Sequence, residues 1–131
     1  MNIEELREYC LSFPSATEKM PWIGDRMHGG GLCFYVGEKW FCFTDVDDFR
    51  FVNIKLPAER NEELRMRYHG VCPGWHMNKK YWSSVYFGED VSDDVIRGLI
   101  KESYDTVLAC LSKKVRETIM ERFTKFTAEI K

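Results

Sequence analysis

Residues 32–56 read LCFYVGEKWFCFTDVDDFRFVNIKL, and the fold class follows from them. Leu32, Phe34 and Val36 alternate with Cys33 and Tyr35, the period of two that sends side chains to opposite faces of a strand. After Gly37-Glu38 the run KWFCFTD alternates again, so the two runs predict a hairpin, and glycine at the first turn position predicts a type II′ turn. Residues 50–56 predict a third strand, with Val52, Ile54 and Leu56 on one face and Phe51, Asn53 and Lys55 on the other. Pro57, which cannot donate to a sheet ladder, ends it.

Reading outward toward the C-terminus, residues 58–68 are charged and helix-prone with a thin apolar stripe, which predicts a short surface helix. Gly70, Pro73 and Gly74 mark a loop, and residues 80–87 alternate again: Tyr81, Ser83, Val85 and Phe87 on one face, Lys80, Trp82, Ser84 and Tyr86 on the other. Ser92, Asp93 and Asp94 open the clearest helix, with Ile96, Leu99, Ile100, Tyr104, Val107, Leu108 and Leu111 on one stripe. Gly98 lies inside it, a costly choice that predicts close approach of another backbone. Ser112 can cap a last helix striped by Val115, Ile119 and Phe123. Toward the N-terminus, residues 3–13 have helical spacing up to Pro14, and residues 15–31 read as a long connection to which Gly29, Gly30 and Gly31 give slack. Consecutive short strands joined by hairpins predict an α+β domain, an antiparallel sheet with helices packed on one face.

Length and composition bound the rest. A chain of 131 residues with 44% apolar and 31% charged residues fits one soluble globular domain. A net charge of -2 argues against coating nucleic acid by bulk charge, so any such binding needs cations gathered on one face. No apolar run approaches the ~20 residues of a membrane span and the N-terminus lacks a signal-peptide pattern, so the expected compartment is the cytoplasm. Cys10, Cys33, Cys42, Cys72 and Cys110 are odd in number and form no CxxC, which predicts mostly small buried thiols rather than a disulfide framework.

Charge is segregated along the chain. Residues 65–88 hold Arg65, Arg67, Lys79 and Lys80 and no carboxylate, a local +4 against -6 elsewhere. The same segment holds Tyr68, Trp75, Tyr81, Trp82, Tyr86 and Phe87, with His69, His76 and Asn78. Cations interleaved with flat rings suit nucleic acid, where Lys and Arg neutralise phosphates and Trp or Tyr stacks on bases. The plainer reading is a solvated basic loop beside a strand whose rings are core. If Val85 and Phe87 face the core, Trp82 and Tyr86 lie on the opposite face with Lys80, either covered or exposed for use. His69, Cys72 and His76 have spacing that could begin a zinc site, but no fourth ligand accompanies them. Asp45, Asp47 and Asp48 match a calcium loop at three positions only. The glycine run lacks the Lys-Ser/Thr of a phosphate-binding loop, and no nucleophile signature surrounds any Cys or Ser. No metal, cofactor or enzymatic activity is expected.

At His76, Asn78, Lys79, Trp82 and Val85, in HMNKKYWSSVYF, and at Ser103-Tyr104, the chain resembles the MmcQ/YjbR family. EELREYCLSFPSATE resembles that family's opening helix and proline break, and LSKKVRETI its closing segment, so the likeness covers residues 1–120 and leaves 121–131 as a C-terminal helical extension. The resemblance implies a small bacterial protein with an α+β fold like that of CyaY and a DNA-binding role through a double-wing arrangement. The leading expectation is therefore a non-enzymatic DNA-binding protein: Arg65, Arg67, Lys79 and Lys80 on phosphates, His76 and Asn78 as polar contacts, and Trp82 or Trp75 stacking. The alternative is a protein-interaction or small-ligand module on the same scaffold. Iron handling, which a CyaY-like fold raises, is disfavoured by a first helix with few acidic residues.

Overall fold

A computed structural model describes the backbone of residues 1–130 and the side chains of residues 1–125. The elements are α1 (Ile3–Leu11), β1 (Thr17–Lys19), β2 (Gly31–Val36), β3 (Lys39–Asp45), β4 (Phe51–Lys55), α2 (Ala58–Arg67), β5 (Val71–Pro73), β6 (Trp82–Tyr86), α3 (Asp93–Cys110) and α4 (Lys113–Ile130). They form an α+β domain around a six-stranded sheet of order β1-β2-β3-β4-β6-β5, every pairing antiparallel. One face packs against the helices. Leu32, Phe34, Val36, Val52, Ile54, Leu56 and Val85 meet Leu6 and Cys10 of α1, Leu64 of α2, Ile96, Leu99, Ile100, Tyr104 and Val107 of α3, and Ile119 of α4.

Local chemistry sets the helix ends. Asn2 caps α1 through a reciprocal pair, its Oδ1 accepting from the Glu5 N–H at 2.8 Å while the Glu5 carboxylate accepts from the Asn2 N–H. Ser92 accepts from the Val95 N–H to open α3. The predicted stripe of α4 engages the core only at Ile119, since Val115 and Phe123 are 40% and 44% exposed.

The strands depart from strict alternation at one position. Phe34 pairs with Cys42 and Tyr35 with Trp40, so Phe41 has no opposite and forms a bulge. Phe41 and Cys42 therefore both enter the helix-side core, while Trp40 joins Phe43 on the far face. Uninterrupted alternation would have separated Trp40 from Phe43. The ladder between β3 and β4 is short, pairing Cys42 with Ile54 and Phe43 with Asn53. Side-chain hydroxyls close it at both ends. Thr44 Oγ1 donates to the Phe51 carbonyl at 2.6 Å, and Ser103 of α3 accepts from the Lys55 N–H at 2.8 Å while donating to the Phe41 carbonyl.

Four expectations are corrected. The hairpin turn has positive φ at both Gly37 (55°) and Glu38 (69°), the signature of type I′ rather than II′; a Cβ on Gly37 would also lie 2.6 Å from Leu111. β1 and β5 lie in segments that read as connections, because three residues are too few to display a period. Gly30 and Gly31 give close approach and not slack: a Cβ on Gly31 would meet Trp22 at 3.0 Å and Phe43 at 3.1 Å. Gly98 meets nothing within 4 Å of a Cβ, so no backbone approaches it.

Two stability outcomes follow. Ser103→Ala strands a buried carbonyl and a part-buried N–H, and urea titration should register a loss of about 2–4 kcal/mol. Gly98→Ala should stabilise by about 0.5–1 kcal/mol through helix propensity, read as a raised Tm; an unchanged Tm would mean that some neighbour resists the methyl.

Candidate nucleic-acid interface

The far face of the sheet carries Cys33, Tyr35, Trp40, Phe43, Phe51 and Tyr86. Among the described residues no helix packs against them. Two connections do so instead, residues 20–30 from one side and residues 74–81 from the other. From the first, Trp22 stands edge-on to Trp40 at 5.4 Å and to Phe43 at 6.1 Å between ring centres, while Trp40 and Phe43 stack at 6.2 Å with a 17° interplanar angle. From the second, Trp75 packs edge-on to Phe51 at 5.7 Å, and His76 stands edge-on to Trp75 at 4.0 Å and to His28 at 5.9 Å. Trp22, His28, Trp40, Phe43, Trp75, His76 and Met77 line a half-open cavity of about 260 Å³.

The 74–81 loop is held by polar groups that sequence reading missed. The Trp75 N–H donates to Ser84 Oγ at 2.9 Å, the Ser84 hydroxyl donates to Asn53 Oδ1, and Asn53 Nδ2 donates to the Trp75 carbonyl at 2.9 Å. This closed circuit fixes both backbone polar groups of Trp75 while the residue stays 41% exposed. Asn53 and Ser84 are fully buried on the aromatic face, and a polar pair directly opposed on two neighbouring strands was the available signal. His76 follows with φ of 57°, a left-handed conformation uncommon outside glycine, which aims its ring back toward His28. Farther on, Asn78 Oδ1 accepts from the Lys80 N–H, and the Asn78 carbonyl accepts from Tyr81 and Trp82.

A second network ties the loop to α2. Asn61 donates to the Leu56 and Lys80 carbonyls, and the Ser83 hydroxyl donates to Asn61 Oδ1 at 2.7 Å. Arg65 donates to Ser83 Oγ at 3.2 Å and to the Lys79 and Trp82 carbonyls at 2.6 Å each. Its fork is thus turned inward onto the protein, which differs from the expected outward reach to a phosphate. Lys79 Nζ donates to the Gly74 carbonyl at 3.0 Å. Arg67 lies over the Tyr68 ring at 5.2 Å and Lys80 over Tyr81 at 5.4 Å. Trp82 is half-buried on the far face of the sheet, opposite Lys55, and does not line the cavity.

The charges of this edge are uncompensated. Arg65, Arg67, Lys79 and Lys80 form no ion pair with any described carboxylate, whereas Arg7, Arg50, Arg60, Arg97 and Lys101 all do. On the other side of the cavity Asp25 is already committed: the Met27 N–H, then His28, holds its carboxyl below the usual range. Beneath the rings, burial pushes the Cys33 thiol up to about 12, so it is inert as a nucleophile. His69, Cys72 and His76 do not converge: Cys72 points at the His69 carbonyl, the His69 N–H donates to Asp90, and His76 turns to His28 and Trp75. Asp45 accepts from the Asp47 and Asp48 N–H groups as a turn cap, and Asp48 pairs with Arg50. Among the described residues no helix is long and apolar enough to cross a membrane.

Ser84→Ala breaks the circuit at Trp75. It should cost about 1–3 kcal/mol and release the Trp75 amide to fast hydrogen exchange while the β6 amides stay protected; retained protection at Trp75 would mean that the ring packing alone holds the loop.

Comparison with known proteins agrees with this architecture. The YjbR family model matches residues 11–106. YjbR of Escherichia coli K12 is 27% identical over 123 residues, covering 92% of this chain and 99% of that protein. YbdF of Escherichia coli O157:H7 is 33% identical over 87 residues, 66% of this chain and 71% of YbdF. A crystal structure of a Deinococcus radiodurans protein with the DUF419 domain superposes with a TM-score of 0.79 at 27% identity, over 90% of this chain and 87% of that one. A Pseudomonas syringae protein of the same fold gives 0.66 at 21% identity, over 81% and 98%.

Proposed function

The chain belongs to the YjbR family, and on that premise we propose that it is a non-enzymatic nucleic-acid-binding protein, with DNA the first candidate. The interface is the edge formed by the last turn of α2 and the loop 74–81. The observation that carries this reading is a set of four cations without described carboxylate partners on the last turn of α2 and the loop 74–81, the loop that also holds partly exposed Trp75 by its backbone. A net charge of -2 leaves the rest of the surface acidic, so a polyanion is steered to this edge and repelled elsewhere.

The residues divide their work. Lys79, Lys80 and Arg67 contact phosphates, whereas Arg65, bonded inward, lends positive potential and holds the loop on α2. Trp75 offers a stacking face, His76 and Asn78 lie next to it, and half-buried Trp82 shapes the loop from below. The cytoplasm suits the five free thiols. The half-open aromatic cavity favours a second reading, a small-ligand or protein-interaction module in which the cations only solubilise.

Anisotropy with labelled DNA across a salt series separates the two. With three phosphate-contacting cations the log-log slope for duplex should not exceed about 2.7 in magnitude, and Lys79→Ala with Lys80→Ala should lower it by about 1.8, at roughly 0.9 per phosphate. Absent or salt-independent binding would favour the second reading.

A further inference from the structure

The cavity has the composition of a nucleobase site, and we infer that it takes one unpaired base, either of a single strand or of a free nucleotide. This deepens the nucleic-acid reading and rests on it for the strand-borne base. A nucleobase is flat, apolar on its faces and polar at its edge. The lining matches that division: Trp22, Trp40, Phe43 and Trp75 supply ring surface, and the imidazoles of His28 and His76 supply nitrogen atoms able to meet a polar edge. About 260 Å³ lies below the ~300–1,000 Å³ of pockets for drug-sized ligands and suits a single ring system.

The walls are set before any ligand arrives. Trp22 is braced against Trp40, Phe43 and the bare Cα of Gly31, and the backbone of Trp75 is locked by Asn53 and Ser84. An aromatic enclosure can also hold a quaternary ammonium. The loop cations set the preference here: the loop that supplies Trp75 and His76 continues into Lys79 and Lys80, which repel a cation and attract the phosphate attached to a base, while the ionised Asp25 carboxylate lies on the other side with His28 and the Met27 N–H as its partners. A base inside the cavity must leave its stack, so single strands are favoured over duplex.

The test combines tryptophan fluorescence titrated with adenosine monophosphate, choline chloride as the cationic control, and anisotropy with a labelled 12-mer of thymidylate against a blunt duplex of equal length. The wild-type chain is compared with Trp22→Leu and Trp75→Leu, their folds checked by circular dichroism. Trp75→Leu keeps the assay decisive if Trp22→Leu does not fold, since its ring is partly exposed and its backbone is held independently. The expected result is quenching by the nucleotide, single-strand affinity roughly tenfold or more above duplex, and a fall of about 5- to 100-fold in either Leu variant with an unchanged salt slope. Steep salt-dependent binding indifferent to both Leu variants would overturn the base site and the stacking role of Trp75, and leave the phosphate contacts standing. Quenching by the mononucleotide without any polynucleotide binding would uphold the base site and overturn the interface. Quenching by choline alone would overturn the inference.

Discussion

Phe41 is the residue on which both faces of the sheet depend. Its bulge lets β3 bury Phe41 and Cys42 under the helices and still place Trp40 beside Phe43 on the opposite side. A bulge leaves backbone groups without ladder partners, and buried polar groups of that kind are costly. Ser103, two turns into the buried stripe of α3, satisfies two of them with a single hydroxyl. Next to it Tyr104 stacks on Phe13, stands edge-on to Phe41 and donates to the Pro14 carbonyl at 2.6 Å. The Ser-Tyr pair thus joins helix, bulge and N-terminal segment in one place, a packing role rather than a surface one.

The far face shows what that arrangement makes possible. A sheet face without helices would normally be solvated, yet this one is aromatic and is closed by two connections. Both are fixed by specific contacts: steric proximity at Gly31 for the first, and the Asn53–Ser84 circuit for the second. The proposed interface therefore rests on loops whose geometry the sheet dictates. Lys79 and Lys80 sit on the same loop as Trp75, so the proposed polyanion surface and the aromatic cavity are neighbours by connectivity.

Much of this was legible in the chain. The faces of β4 and β6 follow their alternation, and α3 follows its cap and stripe, because both signals are local and strong. The basic, aromatic run 65–88 and the part of the family motif within it were equally plain, and hydrogen bonds from Arg65 to the Lys79 and Trp82 carbonyls join its two basic stretches. The aromatic cavity was not legible. Trp22 and His28 belong to a stretch with breakers and no period, and nothing local brings them to His76, some fifty residues away. Arg65 illustrates the same limit: its charge could be read from sequence, but the inward turn of its guanidinium depends on the Lys79 and Trp82 carbonyls arriving beside it.

The sequence by itself determined the antiparallel hairpins, the helix limits, the family and the segregation of positive charge, since each depends on neighbours within one turn or one strand. Tertiary structure decided which strands were completed by three-residue edges, where alternation broke, and which rings met across the far face. Those outcomes depend on pairings between distant segments, and whether a buried carbonyl or hydroxyl finds its partner is settled only when the whole sheet has assembled.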